Sequence, residues 1–336
     1  MFLGDVNTRA RGLRTRLLGS AELDRLMDAR SLFALQRALS NLGIVPADGP
    51  ATPEALERAV RRRAAGLMAI LGRWCTDDRR PVFAVLFEDE DRRSIQAALR
   101  GAEQAAGTDA RMSGLVPTQS LSERALRVLA SQPTMADVVR MLVLWGHPFG
   151  RPLIDAVSGP HPSLFKAEVE LQRAFAQRAL AHAHRGGRAL VDYARQVIDA
   201  MNASSVLLHF PERDEDIADS IFIDGGSQID RDGFEEMMRN ESFEQARRAL
   251  LIRLQDSALG SAFREEAENL STLEAAVLRA QIAEQRRLAR LRPDGAAPTI
   301  SFALELRAEV LDLRRIIWGV SLGAPQALMQ TSMVAS

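Results

Sequence analysis

Apolar residues along most of this chain recur at intervals of three and four rather than two, a period that predicts helices nearly throughout. Alanine, leucine and arginine dominate, while aromatic and β-branched residues are sparse, which favours the same state. Two short runs could be strands, Val82–Phe87 and Ser220–Ile223, but they are isolated and read as loop or as the start of a helix. The expected fold class is therefore all-α. One segment of the pattern occurs three times: an acid, a small polar or acidic residue three places on, and apolar residues four and eight places on. The copies are Asp91, Ser94, Ile95 and Leu99; Asp199, Asn202, Ala203 and Leu207; and Glu309, Asp312, Leu313 and Ile317. At about 100° per residue the acid and its polar partner lie beside the apolar pair, so one seam buries the stripe and presents the acid to a neighbour.

The acids stand 108 and 110 residues apart, and other positions follow the same offset. At an offset of 108, Leu121 matches Ile229, Thr134 matches Ser242 and Leu142 matches Leu250, while Ser31 and Leu39 hold the corresponding places near the N-terminus. Helix starts are marked by Thr52 before Pro53 and by the capping-box spacings Ser120 with Glu123, Ser242 with Gln245 and Ser271 with Glu274. Breakers cluster at Gly101–Pro117, Phe210–Gly226 and Gly319–Pro325. Pro81 and Pro298 precede the first and third acids by ten and eleven residues, suiting helices that begin at a turn; the second copy lacks this proline. The chain thus divides into three similar helical units, 1–110, 111–215 and 216–336.

Composition narrows the functional classes. Apolar residues are 46% and charged residues 26%, ordinary for a soluble protein, and a net charge of -1 argues against a general nucleic-acid binder. The single cysteine, Cys75, forbids an internal disulfide and a cysteine-based zinc site, and points to a reducing compartment. No apolar run approaches the ~18 to 20 residues that cross a bilayer. Asp5, Arg9, Arg11, Arg14 and Arg16 interrupt what a signal peptide would need as an apolar core, so the expected location is cytoplasmic.

Reaction chemistry has little to stand on. His182 and His184 are two apart and point away from each other on a helix, and no acid or cysteine joins them at ligand spacing, so no metal site is expected. His147 in Trp-Gly-His-Pro and His161 in a proline-flanked turn read as loop residues, and His209 has no evident partner. Gly225 and Gly226 lack the lysine and further glycines of a phosphate loop and read as a turn. No Gly-x-Ser-x-Gly elbow occurs, and Cys75 has no nearby histidine, so neither a catalytic residue nor a cofactor is assigned. Arg58, Arg61, Arg62 and Arg63 form the most basic patch, expected on a solvated helix face with Glu54 and Glu57 pairing to Arg58 and Arg61. The acidic stretch Arg213–Asp219 is expected as an exposed loop between units.

The three motifs, the opening Asn7, Arg9, Arg11, Leu17 and Leu18, the Phe222–Gly226 segment Phe-Ile-Asp-Gly-Gly and the closing stretch Glu305–Gly323 together resemble one family. It is the C subunit of bacterial and archaeal V/A-type rotary ATPases, which corresponds to the d subunit of the eukaryotic vacuolar enzyme. The chain departs from the family pattern at Ser94, where asparagine is usual, and at Ala203 and Leu208 in the second copy; Tyr193 is its only tyrosine. The resemblance implies a funnel of three helical units around a pseudo-threefold axis, acting as a non-catalytic rotor adaptor in ATP-linked proton or sodium transport. The implied partners are the central-stalk subunits and the membrane proteolipid ring, with no nucleic acid and no small-molecule substrate, and the implied location is peripheral, on the cytoplasmic face of the membrane. A helical-repeat protein-binding scaffold outside any ATPase is the alternative. Repetition of the motif nominates Asp91, Arg100, Asp199, Asn202, Glu309, Asp312 and Arg315 as the residues that stabilise helix junctions.

Overall fold

The computed structural model describes residues 3–112, 115–210, 217–266, 270–331 and 333–334, and among these every regular element is a helix. The chain opens with α1 (Gly4–Arg14), a short pair α2 (Ser20–Met27) and α3 (Leu32–Asn41), and two long helices, α4 (Pro53–Gly72) and α5 (Arg80–Glu103). The order then recurs: α6 (Thr108–Met112), a short pair α7 (Glu123–Ala130) and α8 (Met135–Leu144), the small α9 (Ile154–Val157), and the long α10 (Leu164–Gly186) and α11 (Arg188–His209). It recurs once more with α12 (Ile217–Ile221), the pair α13 (Arg231–Arg239) and α14 (Phe243–Leu254), α15 (Leu259–Glu266), and the long α16 (Leu270–Leu291) and α17 (Ala297–Leu322), before α18 (Gln326–Thr331) ends the run.

Local chemistry accounts for the boundaries. Ser31, Thr134 and Ser242 cap α3, α8 and α14, each side chain accepting the amide three residues on, and Thr52 caps α4 ahead of Pro53. Ser120, expected to cap α7, does not: the helix begins at Glu123 with Ser122 as its cap, and the Ser120 hydroxyl is bound to Asp91. The Ser271 side chain lies outside the described residues, as does 211–216, which holds most of the acidic stretch and the 215/216 unit boundary. Pro81 and Pro298 sit in the first turns of α5 and α17. Where the second copy lacks a proline, Gly187 at φ 95 separates α10 from α11 with a backbone conformation that side chains other than glycine's rarely tolerate. Val82–Phe87 lies within α5, and Ser220 and Ile221 end α12.

Each motif helix packs on the short pair that follows it: α5 on α7 and α8, α11 on α13 and α14, and α17 on α2 and α3, so the last motif helix closes onto the first pair. Long helices complete the body, α5 against α10, α10 against α11, α16 against α17, and α4 against α17. The apolar motif positions Ile95, Leu99, Ala203, Leu207, Leu313 and Ile317 are all buried, as are Leu39, Leu142 and Leu250 on the short pairs. The chain start is tied to its end by Asn7, whose amide donates to the Pro293 and Gly295 carbonyls, both at 2.9 Å, and whose oxygen accepts from Thr299. No helix among the described residues is long and apolar enough to cross a membrane.

Candidate functional site: three acid-keyed helix junctions

Each repeated acid meets the segment that leads into the next short pair. Asp91, on α5 and 1% exposed, accepts from the hydroxyls of Thr118 at 2.5 Å and Ser120, both just before α7. The buried His147 ring also faces it, Nε2 lying 3.4 Å from Oδ2. Because the Phe149 amide donates to His147 Nδ1 at 3.3 Å, the geometry suits the neutral tautomer with its proton on Nε2, aimed at Asp91.

Asp199, on α11, is met by backbone instead. Its carboxylate accepts from the amides of Ser227, Gln228 and Ile229 at 3.0–3.2 Å and from the Ser227 hydroxyl at 2.9 Å. A Cβ on Gly226 would stand 2.3 Å from Asp199 Oδ1, so the turn can close on the acid only with glycine there. Burial pushes the Asp199 carboxyl up, and the three amides and the hydroxyl only partly offset this. Asn202, fully buried one turn on, pairs with both the amide and the carbonyl of Ile223, at 3.0 and 2.8 Å.

Glu309, on α17, reaches the amide of Leu18 at 2.8 Å and is ion-paired to Arg63 of α4. Burial likewise raises its carboxyl, against the pull of Arg63 and the Leu18 amide. Asp312, with no exposure, accepts from the Val334 amide at 2.7 Å and lies 3.3 Å from Arg315. Arg100 stands apart from these junctions: on the exposed edge where α5 meets α10, it forms a bidentate pair with Glu168 at 2.5 and 2.9 Å.

The arginine patch is only partly a solvated face, contrary to expectation: Arg62 is exposed, but Arg61 and Arg63 turn into the fold. Arg61 is buried and donates to the carbonyls of Met112 and Leu115 at 2.7 and 3.0 Å, in the segment leading to α7. Arg62 forms a bidentate pair with Glu123 of α7, and Arg63 binds Glu309 and the Arg16 carbonyl. Glu57 is buried too: it makes the expected pair with Arg61, at 4.0 Å, and also accepts from Trp318 of α17 at 2.8 Å. The consecutive arginines thus also tie α4 to the 112–115 segment, to α7, to α17 and to the Arg16 carbonyl, contacts that a pairing scheme within α4 does not foresee. Spacing alone could not separate the two outcomes, because these further partners lie 47 to 261 residues away.

A further charged cluster escaped sequence reasoning. Asp89 of α5 is bound by Arg92 at 2.7 Å and Arg93 at 3.2 Å, with Arg307 of α17 at 3.5 Å, while Glu274 of α16 is bound by Arg93 at 3.1 Å and Arg307 at 2.8 Å. Burial would raise the Asp89 carboxyl, but Arg93, Arg92 and Arg307 overcome it and hold the group well below its ordinary range. His182 lies 3.4 Å from Glu88 rather than in solvent, and the His209 ring packs edge-on against Phe165, 5.1 Å between centroids. Among the described residues no group of three or more histidines, cysteines or acids is arranged to hold a metal. Burial drives the Cys75 thiol up to about 12, so it is a poor nucleophile.

These junctions bind helices to one another, and comparison with known proteins gives them a context. The chain is similar to the C subunit of the V-type ATP synthase of Deinococcus radiodurans, with 25% identity over 238 residues that cover 68% of this chain and 65% of that relative. The match therefore spans less than two thirds of the relative's own length. The model of the ATP synthase (C/AC39) subunit family matches residues 6–331, which include all three motif helices and every junction partner but Val334. With nearly its whole length matched, the chain belongs to the ATP synthase (C/AC39) subunit family.

Proposed function

We propose that this protein is the non-catalytic rotor adaptor of a V/A-type ATPase, joining the central stalk to the membrane proteolipid ring on the cytoplasmic face during ATP-linked proton or sodium transport. The family match over residues 6–331 carries this reading. A part that transmits torque between a shaft and a ring needs two binding faces and a body that does not yield. The three junctions suit that role, since each fastens a long helix to the next short pair, and the Glu309–Leu18 contact joins the two ends of the chain. On this reading the units 1–110, 111–215 and 216–336 surround a pseudo-threefold axis as a funnel. Asp91, Asp199, Asn202, Glu309 and Asp312 are its seams, with Arg315 and Arg100 as outer braces.

Native mass spectrometry of the protein mixed with the central-stalk pair and the detergent-solubilised ring tests the assignment. One copy bound to both partners is expected. A folded, helical protein that binds neither would instead be a free-standing scaffold.

A further inference from the structure

A cavity lies beside the Asp89 cluster, walled by α4, α5, α11 and α17, so that helices from the first, middle and last thirds of the chain all reach it. Most of its wall is apolar, with Met68, Leu86, Leu306 and Val310 among the lining side chains. Its free volume is about 40 Å³, and it is partly open to solvent. One water needs ~10 to 15 Å³, so there is room for a group of a few heavy atoms, while the remainder of a longer molecule can extend outward.

Two polar groups on this wall lack a hydrogen-bond partner among the described residues. Tyr193 is 2% exposed, yet its hydroxyl bonds to nothing there. Burial raises its phenol and Asp89 adds to that, so the hydroxyl keeps its proton and can donate. The Glu90 carboxylate likewise accepts no hydrogen bond among the described residues, Arg307 Nε standing 3.9 Å from its Oε1. Arg307 is engaged instead by Glu274 and Asp89, at 2.8 and 3.5 Å. Burial raises the Glu90 carboxyl against the pull of Arg307 and Arg93, a cost that a donated hydrogen bond would relieve. The charges around the cavity balance, Asp89, Glu90 and Glu274 against Arg92, Arg93 and Arg307, so neither an anion nor a cation is favoured there.

We propose that this cavity binds a small neutral molecule with a hydroxyl on an apolar body, an aliphatic alcohol being the simplest case. Glu90 and Tyr193 line the same small space, so one hydroxyl serves both, donating to the carboxylate and accepting from the phenol. The carbon chain lies against Met68, Leu86 and Val310. A bare hydrocarbon would cover the same wall but leave both polar groups unpartnered, which favours the alcohol. An ammonium or carboxylate ion would leave water for a site with no spare charge to offset the loss. The site goes beyond the rotor-adaptor reading and does not depend on it.

Tyr193 is the only tyrosine, so in the full-length protein grown on isotope-labelled tyrosine a single ring environment reports on the cavity by NMR. The titrants are n-butanol, butyl chloride, n-butylammonium and butyrate. We expect n-butanol to shift the Tyr193 signal saturably, with half-saturation in the millimolar range, and the other three to bind roughly fivefold more weakly or worse. Glu90→Met removes the acceptor at similar size; checked for folding by circular dichroism, it should weaken n-butanol by roughly fivefold and leave butyl chloride unchanged. No saturable shift with n-butanol up to about 50 mM overturns the site, leaving it to water. Butyl chloride, butylammonium or butyrate binding as tightly as n-butanol overturns the ligand class, as does an unchanged n-butanol affinity in folded Glu90→Met. Should that variant fail to fold, the four wild-type titrations decide.

Discussion

The Asp91 and Asp199 junctions occupy the same place in the repeat and bury the same chemical group, yet they hold it by different means. Asp199 sits in a cradle of three successive amides and a hydroxyl that closes only because residue 226 is glycine. Asp91 is held by the side chains of Thr118, Ser120 and His147. Backbone amides can only donate, so their partner must supply several acceptor lone pairs. Hydroxyls donate or accept by rotating. The amide-bound seam should therefore be intolerant of a neutral replacement, and the hydroxyl-bound seam forgiving.

The largest expected effect is that of Asp199→Asn, in which the single amide oxygen cannot serve all three N–H groups and the new NH₂ meets donors; a loss of about 3 kcal/mol should appear in urea unfolding. Gly226→Ala attacks the same cradle from the other side, since the added methyl would stand 2.3 Å from Asp199 Oδ1, and should cost about 2–3 kcal/mol by the same measurement. Arg63→Ala strips the ion partner from buried Glu309 at the third junction and should cost about 2 kcal/mol. Asp91→Asn should cost only about 1 kcal/mol, because Thr118 and Ser120 can reorient. Equal losses for Asp91→Asn and Asp199→Asn would end the distinction between the two seams.

The smallest effects are in pH dependence, where the carboxyls differ in sign. Asp199 is raised in the folded state, so it favours folding most under acid conditions, and that contribution is lost as pH rises through its folded value. The advantage of wild type over Asp199→Ala should thus shrink from acid toward neutral pH. Asp89 is lowered, so its contribution is complete above the ordinary aspartate range and is lost as pH falls below it. Wild type should lose its advantage over Asp89→Asn on acidification. Unfolding curves of the three proteins across that range should give opposite slopes, and parallel slopes would contradict the assigned environments.

Much of the helical order was legible because it rests on local rules. The caps Thr52, Ser31, Thr134 and Ser242 and the prolines at 81 and 298 stand where neighbouring backbone chemistry requires them. Ser120 shows where local reading stops: it has capping-box spacing to Glu123, but Asp91, 29 residues earlier, takes its hydroxyl. The arginine patch fails similarly. Within α4 it looks like a charged surface, and only the arrival of Glu123, Glu309 and the Met112 and Leu115 carbonyls buries or engages it. His147 reads as a loop residue and does lie in one, but the fold turns its ring onto Asp91.

By itself the sequence determined an all-α chain, its threefold-repeated pattern and its kinship, because helix period, capping and spacing are properties of neighbouring residues and of their order. What meets each repeated acid was decided only by the tertiary structure. A buried carboxylate takes whatever donors close packing brings to it, and those donors proved to be hydroxyls and a histidine at Asp91, amides beside a glycine at Asp199, and an amide with an arginine at Glu309. No spacing rule ranks such partners, because the segments that supply them are brought together only when the helices pack.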